Sequence, residues 1–283
     1  MFRLAGHHAT YCSTKSDDFP SMLDEPADLV AIAGGDGTVR KVVTRLRRRD
    51  TPVAILPLGT ANNIARSLGI KGDRLQLVAE WPEAKVARVD LGLAEWSGEC
   101  RAFVEAVGAG ALAAITRDKV GGKLEGRKRL HAGRDALRER LKDAPPLEID
   151  IEVDGRPIIG TWLLIEALNI GYTGPSLPLG ARTQPGDRTL ELVTLAEDRR
   201  EDMRAWLKAP ENTDPPVGKM RASRVRLRWS GKPAIRVDDQ LLDIGGPGEM
   251  DIGLQKEPLT VLLPKGCAGL QSGEADKRPL EDA

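Results

Sequence analysis

An α/β unit followed by a mainly antiparallel β unit is the fold class this sequence predicts, and three observations predict it. Two strand, glycine turn, helix units stand about 25 residues apart within the first ninety residues. Past residue 145 the helical signal gives way to short strands separated by Gly, Pro and Asp turns. At 283 residues the chain is long for one compact domain and fits two, each able to bury its own core.

The segment VAIAGGDGTVRKVV (residues 30–43) opens with four consecutive apolar residues stopped by glycine, the pattern of a buried parallel strand. Val39, Val42, Val43 and Leu46 then fall at helical spacing, which predicts a helix from near Thr38 to the basic run Arg47-Arg48-Arg49. PVAILPLGTANNIARSLGI repeats the theme: an apolar strand, a Gly59-Thr60 turn, and a short helix carrying Ile64, Ala65 and Leu68, closed by Gly69. Both glycine turns thereby reach the carboxyl edge of one parallel sheet, where open α/β folds bind ligands.

Glycines let the backbone approach a ligand, and the N–H groups at a following helix start attract anions, phosphates above all. Asp36, set among three glycines, would repel a bare phosphate. It makes sense where a magnesium ion or the proton of a substrate hydroxyl mediates the contact. The competing reading makes Asp36 a turn residue or helix cap, with Thr60, Asn62 and Asn63 as N-caps of the second helix.

Farther along, LEIDIEVDG, IIGTWLLIEALNI, TLELVTLA, SRVRLRWS and PAIRVDDQ read as strands. In RVRLRW, Val225, Leu227 and Trp229 alternate with Arg224, Arg226 and Arg228, a half-buried strand with a basic face that is either solvated or turned to lipid. Residues 117–142 carry ten Lys/Arg against four Asp/Glu, with Leu130, Leu137 and Leu141 as an apolar stripe. An amphipathic helix is expected there, packed on its own domain or docked on anionic lipid. The expected division is residues 1–92 as the α/β domain, with 255–266 a candidate to rejoin it. Residues 93–254 form the β-rich domain that includes the basic helix, and 268–283 a disordered tail.

Composition narrows the function classes. Hydrophobic residues make up 41%, which excludes disorder, and 42 basic residues balance 42 acidic ones, which argues against general nucleic-acid binding. No stretch approaches the roughly 20 apolar residues that span a bilayer, and the N-terminus lacks the apolar core of a secretory signal. Cys12, Cys100 and Cys267 stand far apart without a CxxC pair, as suits a reducing compartment. The expected location is cytoplasmic, including a peripheral place on the inner face of the membrane. Neither GxxxxGK[ST] nor GxSxG occurs, which excludes an ordinary P-loop NTPase and a nucleophile-elbow hydrolase.

Gly34-Gly35-Asp36-Gly37-Thr38 followed by Pro57-Leu58-Gly59-Thr60-Ala61-Asn62 resembles the catalytic domain of the diacylglycerol kinase and sphingosine kinase family of lipid kinases, and more distantly the NAD kinases. The second motif separates the two, since NAD kinases continue differently. VDLGLAEW, EAVGAGALAAI and LNIGYTGPSLPLG are similar to further family segments, so that roughly residues 4 to 264 can be followed.

The resemblance implies a Rossmann-like nucleotide-binding α/β domain and an antiparallel β domain, with the active site in the cleft between them and ATP and Mg²⁺ as cofactors. It places Gly34, Gly35, Asp36, Gly37, Thr38, Gly59, Thr60 and Asn62 at the nucleotide. Asp36, Asp90 and Asp187 are its metal ligands, although Arg188 stands where the family has a glycine after the aspartate. Asp238 matches the aspartate of an Asp-Gly-Glu triplet, here Asp238-Asp239-Gln240, and with Asp36 is the expected catalytic pair, Asp238 as general base. The family's opening strand and Asn-Pro-x-x-Gly turn are not matched. The first residues resemble the helix end and second strand that follow, so either the start lies upstream or one edge of the nucleotide site is missing.

The expected function is phosphoryl transfer from ATP to a hydroxyl of diacylglycerol, a sphingoid base or a related lipid at a membrane surface, with a homodimer as a candidate assembly. The alternatives are a non-catalytic nucleotide- or lipid-binding protein of the same fold, and a kinase of a soluble substrate such as NAD.

Overall fold

The computed structural model describes residues 6–117, 124–181 and 183–265. The expected tail, Cys267 and residues 118–123 of the basic stretch lie outside the described residues. The chain begins with α1 (Phe19–Met22), β1 (Val30–Gly34), α2 (Asp36–Val43), β2 (Val53–Pro57), α3 (Asn63–Ser67), α4 (Arg74–Ala79) and β3 (Lys85–Val89). There follow β4 (Gly92–Trp96), β5 (Glu99–Phe103), β6 (Ala106–Gly110), α5 (Ala111–Arg117), α6 (Gly126–Asp143), β7 (Ile149–Val153), β8 (Arg156–Ile158) and β9 (Trp162–Leu168). Last come β10 (Leu190–Ala196), α7 (Arg200–Trp206), β11 (Gly218–Ala222), β12 (Val225–Trp229), β13 (Ile235–Val237), β14 (Gln240–Leu241), β15 (Gly248–Leu254) and β16 (Leu259–Leu263).

β1, β2, β16 and β3 form a four-stranded sheet in that order, parallel except for β3. β2 is buried at four of its five positions, which is why it reads as a continuous apolar run. The β1–β2 register pairs Gly34 with Pro57, so the two glycine turns leave the sheet side by side. α2 lays Val39, Val42 and Val43 onto the core of this sheet.

Two six-stranded antiparallel sheets, β11-β10-β9-β6-β13-β14 and β5-β4-β15-β12-β7-β8, make the second part. Val225, Leu227 and Trp229 of one meet Val107, Ala109 and Ile165 of the other in the core between them. The opposite face of the first sheet is covered by α5, α6 and α7 through Leu112, Leu137, Leu141 and Met203. The chain passes between the parts twice, at Asp90-Leu91 and at 255–258, and the crossings are joined by the Gln255 N–H, which donates to the Leu91 carbonyl at 2.8 Å.

Four local expectations change. α2 ends at Val43 rather than in the basic run, because Arg49 folds back and its guanidinium donates to the Val43 carbonyl at 2.5 Å. Residues 6–18 form turns and irregular chain instead of a helix end and a strand, residues 1–5 lying outside the described residues, and among the described strands β1 is the edge of its sheet. The basic stretch is no single helix: Leu124 and Glu125 are non-helical and α6 starts at Gly126. Leu137 and Leu141 are buried as its stripe requires, while Leu130 is half-buried. Antiparallel strands also begin well before residue 145, since β4, β5 and β6 carry small residues and glycines that mask their alternation.

Candidate active site

Behind β1 and β2 the two glycine turns touch backbone to backbone. A Cβ on Gly59 would stand 2.5 Å from the Gly35 Cα, and one on Gly35 would stand 2.9 Å from the Gly59 Cα. No side chain fits at either place, so the glycines serve first the packing of one turn on the other. Asn62 closes the second turn: it accepts from the Gly59 N–H and returns a bond to the Gly59 carbonyl, both at 2.9 Å. Its own backbone is left-handed, φ 50°, a conformation that Asn tolerates.

Asp36 begins α2, yet its Oδ1 accepts the Ile64 N–H of α3 at 2.9 Å. It is therefore a helix cap, but of the neighbouring helix. Burial pushes its carboxyl up, against the N–H groups of Ile64 and Asn63 that hold it down.

The hairpin turn between β13 and β14 faces these turns from the second part. Asp238 has φ 53° and a carboxylate wrapped in backbone N–H groups. Oδ1 accepts from Glu105 at 2.7 Å, Val104 at 3.2 Å and Ala106 at 3.3 Å, whereas Oδ2 accepts only from Val104 at 3.1 Å. Burial pushes the Asp238 carboxyl up to about 6, against the N–H groups of Glu105 and Val104 and the charge of Arg40. The fully buried pair Arg236 and Glu166, 2.6 Å apart, braces the turn from behind, since Arg236 also donates to the Asp238 carbonyl.

Arg40 of α2 joins the two walls. Its Nη2 lies 3.2 Å from Asp239 Oδ1 and its Nε 3.9 Å from Asp238 Oδ2. Asp239 is exposed and close to Gly37, where an added Cβ would lie 3.5 Å from its Oδ2. Gln240 is also exposed and meets Arg101 at 3.4 Å.

Sequence reading missed two members of this cluster. Arg40 stands four residues after Asp36, on the same face of α2, which was the available signal. Glu105 is the one acidic residue in the run FVEAVGAG; its Oε2 accepts from Asn63 at 3.0 Å, and burial, then the charges of Asp36 and Asp238, raise its carboxyl well above the usual range.

Asp90 and Asp187 are engaged elsewhere. Both Asp90 oxygens are taken by Arg188: Oδ1 by Nη1 at 2.7 Å and Oδ2 by the backbone N–H at 2.8 Å. Asp187 Oδ1 accepts from the Thr189 N–H at 3.0 Å and hydroxyl at 2.7 Å, and Oδ2 from Arg221. Among the described residues no three His, Cys, Asp or Glu are grouped to share a metal ion. Asp36, a carboxylate beside the two glycine turns, fits a nucleotide-bound Mg²⁺; Asp90 and Asp187, whose oxygens are taken by Arg188, Thr189 and Arg221, do not fit a metal.

Of the basic features, Arg224 and Arg226 pair with Asp251, and Arg228 with Glu249 and Glu152, so that face of β12 is neutralised by its own sheet. On α6, Arg134 is buried and donates to the carbonyls of Pro175 and Ser176 and to Glu211, whereas Arg127, Lys128 and Arg129 are exposed.

Residues 4–94, which hold both glycine turns and Arg40, match the family model of the diacylglycerol kinase catalytic domain. That stretch of the chain is therefore similar to a catalytic domain of that kind. Beyond them, the chain is 29% identical over 279 residues to a diacylglycerol kinase of Bacillus subtilis, covering 93% of this chain and 88% of that one. A diacylglycerol kinase of Mycobacterium tuberculosis is 25% identical over 181 residues, 61% of this chain and 56% of its own. The crystal structure of a diacylglycerol kinase from Bacillus anthracis superimposes with a TM-score of 0.64 at 18% identity, over 90% of this chain and 84% of that one, which shows the fold. The chain is a phosphotransferase acting on an alcohol group, of the lipid-kinase type.

Proposed function

We propose that this kinase transfers the γ-phosphate of ATP to a hydroxyl of diacylglycerol presented at a membrane surface. One observation carries the reading: Arg40 ties the glycine turns to the acidic hairpin of the second part, so a phosphate held at the turns faces a carboxylate. Gly34, Gly35, Gly37 and Thr38, with Gly59, Thr60 and Asn62, shape a backbone cradle at the start of α2, where N–H groups favour anions. Arg40 adds a guanidinium that reaches from α2 to Asp238 and Asp239, and stabilises charge on the transferring group. Asp36 would hold Mg²⁺, which when bound neutralises charge on the phosphates.

Asp238 is the general base. Its Oδ1 is saturated by N–H donors, leaving Oδ2 to take the hydroxyl proton as the alcohol oxygen bonds to the γ-phosphorus and the bond to the bridging oxygen of ADP breaks. A carboxyl near 6 is ionised at neutral pH yet basic enough to accept that proton. Arg127, Lys128 and Arg129 at the exposed start of α6 supply attraction to an anionic surface, about 1 kcal/mol for each charge near it. Among the described residues no helix is long and apolar enough to cross a membrane.

Labelled ATP supplied with diacylglycerol, a sphingoid base or NAD tests the reading. Label is expected in the diacylglycerol product and to require Mg²⁺; label in NAD alone, or in none of the three, overturns it.

A further inference from the structure

Asp90 sits where β3 crosses into β4, and it is 1% exposed. A buried carboxylate needs a compensating charge, and among the described residues Arg188 provides it. Arg188 binds one oxygen through its guanidinium and the other through its backbone N–H. To do so it holds φ at 62°, a left-handed conformation that is strained for an arginine and easy for glycine. The backbone thus favours the glycine that the family resemblance expects at this position, while the side chain is what the buried charge requires. Gly186 in the same loop lies against the Arg88 carbonyl, where an added Cβ would come within 2.0 Å, so residues 186–188 are clamped onto the crossover strand. Asp187, the other expected ligand, is turned away onto Thr189 and Arg221.

We propose that the Arg188 guanidinium stands in place of a metal ion at the crossover, forming with Asp90 a latch between the two parts of the chain that needs no divalent cation. The latch is separate from the Mg²⁺ expected with the nucleotide, and it holds whatever alcohol is phosphorylated.

Thermal melting of the full chain, without nucleotide or lipid, in EDTA and in millimolar Mg²⁺ or Ca²⁺, tests it. The parent is expected to melt at the same temperature in all three. Arg188→Gly, which relieves the backbone and uncovers Asp90, is expected to lose on the order of 10 °C in EDTA. Part of that loss should return with divalent cation but not with NaCl of equal ionic strength, and the return should vanish when Asp90→Asn is added. A parent that gains stability from Mg²⁺ overturns the proposal, as does an Arg188→Gly chain that is unharmed in EDTA or unmoved by divalent cation. Should Arg188→Gly prove insoluble, Arg188→Lys decides: melting indifferent to Mg²⁺ supports a built-in cation, and melting that climbs with Mg²⁺ refutes it.

Discussion

Asp36 accepts the backbone N–H of Ile64 at 2.9 Å, so the carboxylate of the first glycine turn caps the helix that follows the second. Two roles meet in one side chain, and they separate by substitution. Asp36→Asn keeps an oxygen that can accept from Ile64 but removes the charge, so phosphoryl transfer should fall about 10²-fold or more while melting is nearly unchanged. Asp36→Ala removes both, and unfolding in urea should show a further loss of about 1 kcal/mol from the missing cap. If Asp36→Asn turns over like the parent, the residue is a cap and nothing else.

The contact between Gly35 and Gly59 makes a second prediction. Gly59→Ala would force a Cβ to within 2.5 Å of a backbone atom, which only separation of the two turns can relieve. A loss of about 1–3 kcal/mol is expected, with weaker ATP binding because the cradle is spread. Gly37→Ala is the control: its Cβ would meet Asp239 at an ordinary 3.5 Å, and stability should hold. Equal stability of the Gly59→Ala chain and the parent would refute the packing role.

The turns themselves were legible because glycine punctuates an apolar strand, and period then switches from strand to helix. The partners were not. Asp36 finds Ile64 only because the β1–β2 register sets the turns abreast, and no local pattern states a register. Glu105 hides in an apolar run, at the bend between β5 and β6, and its acidity acquires meaning only when β13 brings Asp238 beside it. The three arginines at and just before β12 looked like a surface for lipid, yet Asp251 on a neighbouring strand pairs with Arg224 and Arg226, and Glu152 and Glu249 pair with Arg228. The helix overrun past Val43 has the same origin: Leu46 continues the apolar spacing, but Arg49 returns to satisfy the last carbonyl.

On α6 the buried and exposed basic groups should part company. Reversing Arg127, Lys128 and Arg129 to Glu should leave melting unchanged and reduce binding to anionic vesicles, an attraction that also fades as salt rises, given a Debye length of about 8 Å at physiological ionic strength. Activity on a dispersed short-chain diacylglycerol should survive. Arg134→Ala should do the reverse, lowering melting because two carbonyls and Glu211 lose their donor. Equal losses on vesicles and on dispersed lipid in the triple variant would refute docking through this helix.

Asp238 links pH to activity and stability in opposite directions. Its carboxyl lies near 6 in the folded chain against 3.8 for the ordinary group, so between these values the folded state holds a proton that the unfolded state has released. Stability from this group is therefore complete below about pH 4 and lost as pH rises through about 6, an effect on the order of 3 kcal/mol. Glu105 and Asp36, both raised by burial, act in the same sense. The base, by contrast, works only when ionised, so the maximal rate should climb through an apparent pKa near 6 that belongs to the coupled carboxylates as a set. Asp238→Asn should cut the maximal rate by about 10²–10⁴-fold, spare ATP binding, and flatten the fall of stability between pH 4 and 6. Asp239→Asn, at the exposed neighbour, should do little. A rate independent of pH between 5 and 7, or greater damage from Asp239→Asn, would move the base away from Asp238.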